Sequence, residues 1–178
     1  MAGPETRARI VEAAMYIVRE QGAARLTLDE AARQAGVSKG GVLYHFRSKD
    51  DLIRAMVQRL IEEYDEQAAA MYAREAEGPY RWARTYVGLS FDPRGPGADP
   101  VGAAVLAAVA LNPDLLAPIR AMFHDILERL RSDSPDPTRA LLIGLALDGL
   151  FLNRVTGLHL YDDATMENLR QTAMALLA

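Results

Sequence analysis

Cysteine is missing altogether from this chain of 178 residues, and with it go disulfides, thiolate metal sites and cysteine nucleophiles. Histidine is scarce. The three present, at positions 45, 124 and 159, lie too far apart for a metal-binding pair on one helix, and no HExxH arrangement occurs. No metal and no other cofactor is expected. Long apolar runs are also absent: the greasiest stretch, residues 140–152, is interrupted by Gly144, Asp148 and Gly149, short of the roughly 18 residues a membrane span needs. The opening MAGPETRARIVEAA lacks the apolar block of a secretory leader. A cytoplasmic protein with no membrane partner is the expectation. Lysine is nearly absent as well, with Lys39 and Lys49 standing against eighteen arginines.

What is there describes a globular chain. Half of the residues are apolar and a quarter are charged, and a chain of this length buries roughly 70% of its unfolded surface without staples. The net charge of −4 alone argues against nucleic acid, but it is unevenly spread. Residues 1–49 hold eight basic against five acidic side chains, a net +3, whereas residues 50–178 hold twelve against nineteen, a net −7. That asymmetry suggests a basic N-terminal module that touches something anionic, carried on an acidic body.

Helical periodicity runs through almost every segment, with no strand pattern and no repeat, so the fold class is all-α. Ile10, Ala13, Ala14, Ile17 and Val18 recur at three and four residues and end at Gly22, defining a first helix. Thr27 followed by Glu30 forms a capping box for a second helix of barely two turns, residues 28–35, closed by Gly36. Ser38 caps a third, running to Phe46, although Gly40 and Gly41 cost it about 1 kcal/mol each relative to Ala. Ser48 followed by Asp51 opens a fourth, residues 48–77, about 44 Å long at 1.5 Å per residue. Further helices follow at 80–91, 100–111, 113–132 and 138–158, and a last one starts at Asp163 or Thr165 with Met166, Leu169, Met174 and Leu177 on one stripe. The 138–158 helix is apolar nearly all round, as a helix covered on two sides must be.

The second and third helices with the turn at Gly36 form a helix-turn-helix unit. Small Ala31 and Ala32 permit close crossing, and Val37, Val42 and Phe46 fill its back, so Lys39, Gly40, Leu43 and Tyr44 project from the front, where a major groove can receive them. The glycines then make sense as positions where backbone approaches DNA closely. TLDEAA at 27–32, AGVSKG at 35–40 and FRSKDDL at 46–52 together resemble the DNA-binding domain of the tetracycline-repressor (TetR) family of transcriptional regulators, over about residues 6–55. The resemblance implies phosphate contacts from Thr27 and Lys49, and recognition-helix contacts from Ser38, Lys39, Gly40, Gly41, Leu43 and Tyr44. The chain departs from the family pattern at two places: Leu43 stands where Tyr is common, with Tyr one residue later at 44, and Gly41 stands where a small hydroxyl residue is common. The phosphate contact therefore falls to Leu43, Tyr44 or His45, Gly41 offers only backbone, and Leu43 can alternatively meet a thymine methyl.

The resemblance further implies a helix-turn-helix domain at residues 1–50 and an effector-binding and dimerisation domain at 51–178, with the fourth helix linking the two. It implies homodimers built from the last two long helices, a near-palindromic double-stranded DNA operator, and a small, mainly apolar effector that releases it. Effector-binding candidates are Trp82, Tyr86, Met122, Phe123, Phe151 and Asn153, with the 91–100 loop near the entrance; aromatics at helical spacing serve equally as core filler. Asp148, a carboxylate in a greasy helix, must pair or face a polar cavity, either across a dimer interface or as pocket lining. His124 and His159 read as surface or structural groups. Two other readings keep part of this picture: an activator or ligand-independent regulator, and a helical enzyme with a borrowed DNA-binding module. For the enzyme no nucleophile–base pair or metal cluster is found, and the Gly-Pro-Gly loop DPRGPGADP follows no strand.

Overall fold

The computed structural model describes residues 3–95, 99–158 and 160–178. Among them there are nine α-helices, two short 3-10 turns and no strand. The helices are α1 (Pro4–Gln21), α2 (Leu28–Ala35), α3 (Lys39–His45), α4 (Lys49–Arg74), α5 (Arg81–Phe91), α6 (Pro100–Leu111), α7 (Leu116–Ser132), α8 (Pro137–Val155) and α9 (Asp163–Ala175). His159 and residues 96–98 of the loop expected at a pocket entrance lie outside the described residues.

The local stops and starts follow from capping chemistry. Thr27 Oγ1 accepts from the Glu30 amide at 3.0 Å, but the Glu30 carboxylate turns to Arg33 and leaves the capping box half made. Gly36 takes the left-handed conformation, φ 65° and ψ 37°, that closes α2 at no steric cost. The box that opens α4 is complete, with the Ser48 hydroxyl accepting from the Asp51 amide and the Asp51 carboxylate accepting from the Ser48 amide, both at 3.1 Å. That helix ends at Arg74 rather than 77, and at 26 residues it is about 39 Å long. The cause sits on another helix: Arg84 binds the Glu75 carboxylate at 2.8 Å and the carbonyls of Ala76 and Pro79, holding 75–79 in a turn.

Two compact units emerge, residues 1–62 with 100–119, and residues 63–99 with 120–178. The first half of α4 and all of α6 join α1–α3 in the first unit, whose core runs through Ile10, Met15, Ala31, Val42, Phe46, Leu52 and Met56 to Val101, Val105 and Leu115. The physical reason lies in α1, which buries Val11 and Met15 as well as the expected stripe and so needs covering on a second side; α6 packs against it. The second unit closes around Tyr64, Trp82, Tyr86, Leu89, Ile126, Leu130, Ile143 and Leu147. Its α5 is started from a distance: the Asp133 carboxylate accepts from the Trp82 amide, while the Asp133 carbonyl accepts from the Tyr80 amide at 3.0 Å. Those contacts hold Tyr80 at φ 59°, a left-handed conformation that is uncommon without glycine.

Candidate functional site

In the first unit, α3 is pinned by Val42 and Phe46, both almost wholly buried, and turns Ser38, Lys39, Gly40, Leu43 and Tyr44 outward. Leu43 is 41% exposed and Tyr44 73%, far beyond what a packing role would leave. Tyr44 stands edge-on to His45 at 5.1 Å, and His45, half-buried, has its Nε2 shielded with no hydrogen-bond partner. Ser38 and Thr27 accept backbone amides as helix caps, which leaves each hydroxyl proton free to donate to a phosphate. Lys49 is exposed as the first residue of α4, where the helix's positive end supports an anion contact.

Neither glycine of α3 is demanded by the chain's own packing. A methyl at Gly40 would meet only the Ser38 hydroxyl at 3.9 Å, and one at Gly41 the same hydroxyl at 3.4 Å and the Val37 Cβ at 3.7 Å. Both residues therefore weaken the helix without relieving a clash within the chain.

Two contacts escape motif reading. Lys39 forms an ion pair with Asp29 on α2 at 3.0 Å, both side chains two-thirds exposed, so the pair adds little to stability. The Arg7 guanidinium of α1 lies 5.2 Å from the Phe46 ring centre, joining the N-terminal helix to the end of α3.

In the second unit the six effector candidates do not converge on one space. Trp82 and Tyr86 are buried, Met122 packs half-buried on the core, and Phe123, Phe151 and Asn153 are half-buried. Phe151 and Asn153 sit two residues apart on α8, roughly 200° around a helix, and so face opposite sides. Asn153 Oδ1 is shielded and unpartnered. A cavity of about 380 Å³ is lined by Tyr72, Trp82, Arg129, Ser132 and Asp133; of the six, only Trp82 lines it. Arg129 stacks over the Trp82 ring at 4.7 Å and pairs with Asp125 at 2.8 Å.

Asp148 finds its partner on α5, where the Tyr86 hydroxyl donates to its Oδ1 at 2.8 Å. Gly144, one turn earlier on α8, makes room for the Leu130 side chain, which a methyl there would meet at 2.9 Å, while the Tyr86 ring would stand at an ordinary 4.0 Å. Burial pushes the Asp148 carboxyl above its usual range, against the opposing effect of the Tyr86 bond. Burial first, then the neighbouring Asp148 charge, pushes the Tyr86 hydroxyl up. Arg154, six residues along, donates instead to the carbonyls of Ser90 and Asp92 at 2.6 and 3.2 Å, closing the end of α5. Outward on α8 stand Leu142 and Leu145, each 68% exposed, and Leu152 at 51%, and on α9 Leu169 is exposed as well.

Comparison with known proteins agrees with this layout. Residues 10–56 match the family described as bacterial regulatory proteins, tetR family, and residues 80–178 match the tetracyclin repressor-like C-terminal domain. The chain belongs to the TetR family. Among TetR-family relatives, the HTH-type transcriptional regulator TtgR of Pseudomonas putida is 39% identical over 75 residues, 42% of this chain and 36% of TtgR. The matched part thus spans about a third of that relative's length. The HTH-type transcriptional regulator BetI of Stenotrophomonas maltophilia is 29% identical over 158 residues, 84% of this chain and 81% of BetI. The crystal structure of the multidrug binding protein EbrR complexed with ethidium superposes with a TM-score of 0.71 at 28% identity, covering 97% of this chain and 98% of EbrR. The fold also recurs in a transcriptional regulator from Rhodococcus sp. Rha1, with a TM-score of 0.72 at 24% identity over 96% of this chain and 95% of that one.

Proposed function

We propose that this TetR-family protein is a DNA-binding transcriptional regulator, a repressor that acts as a homodimer and leaves a near-palindromic operator when a small, mainly apolar molecule binds its second unit. The observation that carries the reading is the outward face of α3, where Ser38, Lys39, Gly40, Leu43 and Tyr44 stand exposed on a helix anchored by Val42 and Phe46. Thr27, Tyr44 and Lys49 hold the sugar-phosphate backbone; Lys39 and Leu43 read base edges, Lys39 leaving Asp29 as it does so. A dimer with two such helices roughly 34 to 36 Å apart meets successive major grooves, and the leucine stripe of α8 and α9 is the surface that a second copy covers. Family membership supports a regulator rather than an enzyme. No helix among the described residues is long and apolar enough to cross a membrane, which suits a cytoplasmic DNA-binding protein.

Response to a small molecule is supported by EbrR, a multidrug binding protein that carries the same fold. The effector selects a conformer of the dimer in which the recognition helices leave register with the DNA. Selection of duplexes from a random pool, followed by anisotropy titration across a salt series, tests the proposal. A preferred near-palindrome whose affinity falls steeply with salt is expected; binding no better than to random competitor DNA defeats the reading. Trp82, the only tryptophan, then reports effector binding by its emission.

A further inference from the structure

We infer that the cleft between the ends of α4 and α7 in the second unit binds a free α-amino acid with a large apolar side chain, its carboxylate held by Arg129 and its ammonium by Asp133. The site stands apart from the operator and effector readings: Trp82 is the one expected effector residue that lines it, and its test involves no DNA.

The cleft, about 380 Å³, is lined by Tyr72 near the end of α4, Trp82 at the start of α5, and Arg129, Ser132 and Asp133 where α7 ends. That volume lies at the lower end of the range for small-molecule sites. None of its lining comes from α8 or α9, so the leucines given to a second copy are not part of it. One wall is apolar, with the Tyr72 and Trp82 rings 5.9 Å apart and tilted by 50°. The other carries two opposite charges that do not neutralise each other. Arg129 lies over the Trp82 ring and pairs through Nε with Asp125, while Asp133 accepts from the Trp82 amide through Oδ2, which engages one of its two oxygens. The Asp133 amide donates to the Arg129 carbonyl at 3.1 Å, prolonging the helical turn, so the two side chains start about 5 to 6 Å apart. A spacing that short suits charges on neighbouring carbons.

Polar atoms in want of partners gather here. Trp82 is 3% exposed and its indole Nε1 is shielded without an acceptor; the adjoining Arg81 Nε and the Ser134 hydroxyl beside Asp133 are in the same state, whereas the rest of the described second unit holds such atoms only at Tyr64 and Asn153. Groups left this way are costly, and the classes of ligand differ in what they do about it. An anion meets Asp133 as well as Arg129, and a cation meets Arg129 as well as Asp133. A neutral apolar molecule strips water from both charges and returns nothing. An amino acid answers both: its carboxylate takes charge-assisted bonds from the guanidinium and brings an acceptor to the side of the cleft where the indole lacks one, its ammonium meets Asp133 at the negative end of α7, and its side chain covers the two rings.

Calorimetric titration of the full chain tests this with compounds that share a benzyl group: L-phenylalanine carries both charges, phenylpropanoate the negative alone and phenethylamine the positive alone. L-Leucine replaces the ring by a branched chain. Saturable binding of L-phenylalanine or L-leucine with a change in Trp82 emission is expected, the single-charge compounds binding roughly tenfold more weakly or worse. Asp133→Asn, which keeps an oxygen for the Trp82 amide, is expected to bind L-phenylalanine no better than phenylpropanoate, and Arg129→Gln no better than phenethylamine, each with circular dichroism unchanged. That crossed loss is one a purely structural role would not produce. Arg129, exposed on α7, starts no helix, so Arg129→Gln decides the matter if Asp133→Asn does not fold. Absence of saturable binding by both amino acids, a single-charge compound that binds as tightly as L-phenylalanine, or an Arg129→Gln variant that binds like the parent overturns the inference.

Discussion

The two units bury their hydrophobic surface to different degrees of completion. The first closes its core around Ile10, Met15, Val42, Phe46 and Leu115 and sends out a face of mostly polar or small residues with a single leucine, Leu43, among them. The second leaves a row of leucines in solvent on α8 and keeps buried polar atoms without partners at Tyr64, Trp82 and Asn153, against His45 alone among the described residues of the first. A unit that touches a rigid, charged partner can be finished in advance, whereas one that must accept a second copy and a guest is finished only when they arrive.

The largest effect that can break this contrast is a charge on the uncovered stripe. Leu145→Asp or Leu152→Asp buries an unpaired carboxylate in the proposed dimer, at about 3 to 5 kcal/mol; sedimentation is expected to show monomers or aggregates that no longer hold the selected operator. Dimers that survive both substitutions place the interface elsewhere. Next comes Lys39→Ala, expected to lose about 1 to 3 kcal/mol on the preferred duplex and flatten discrimination at one base position. Lys49→Ala instead weakens all sequences alike and lowers the salt slope by about one. If both leave titrations on a selected operator unchanged, the α3 face is not the reading surface.

Gly40→Ala separates stability from function. With no clash within the chain, it is expected to stabilise the first unit by up to about 1 kcal/mol, raising the melting temperature, while weakening operator binding because the added methyl stands where DNA approaches. A variant that gains stability and keeps full affinity removes the close-approach argument. The smallest effect concerns Asp148. Its carboxyl is held above the usual range by burial, so the folded chain binds this proton more tightly than the unfolded one, and the group's contribution to stability falls as pH rises from the unfolded value through the folded one. Asp148→Asn is therefore expected to melt above the parent at neutral pH, with the gap closing as pH is lowered towards the ordinary carboxylate range. A gap that stays constant with pH shows that the carboxylate is ionised without penalty.

The parts of this molecule that were legible in sequence are those in which a residue acts on its near neighbours. Thr27, Ser38 and Ser48 cap helices three residues away, and Val42 and Phe46 define a helix face by their spacing alone. What escaped depends on residues distant in the chain. The turn after α4 is set by Arg84, and the start of α5 by Asp133, 51 positions from the amide it accepts. The Tyr86 partner of Asp148 lies 62 positions away. The segment PVGAAVLAAVAL of α6 is apolar all round, so nothing in its pattern says that it belongs with α1 rather than with the helices that follow. For the same reason Phe151 and Asn153 look like neighbours in sequence and point apart on the helix.

The near-absence of lysine has a chemical consequence. Lys39 and Lys49 carry the only side-chain amines in the chain, and both stand exposed on the face proposed for DNA. An amine-reactive acylating reagent therefore reads out that one surface among all side chains, since guanidinium groups do not compete for it under mild conditions. Protection of two peptides in a mass spectrum would report operator occupancy without any engineered label, and acylation itself, by removing both charges, would be expected to silence the protein while leaving its second unit chemically untouched.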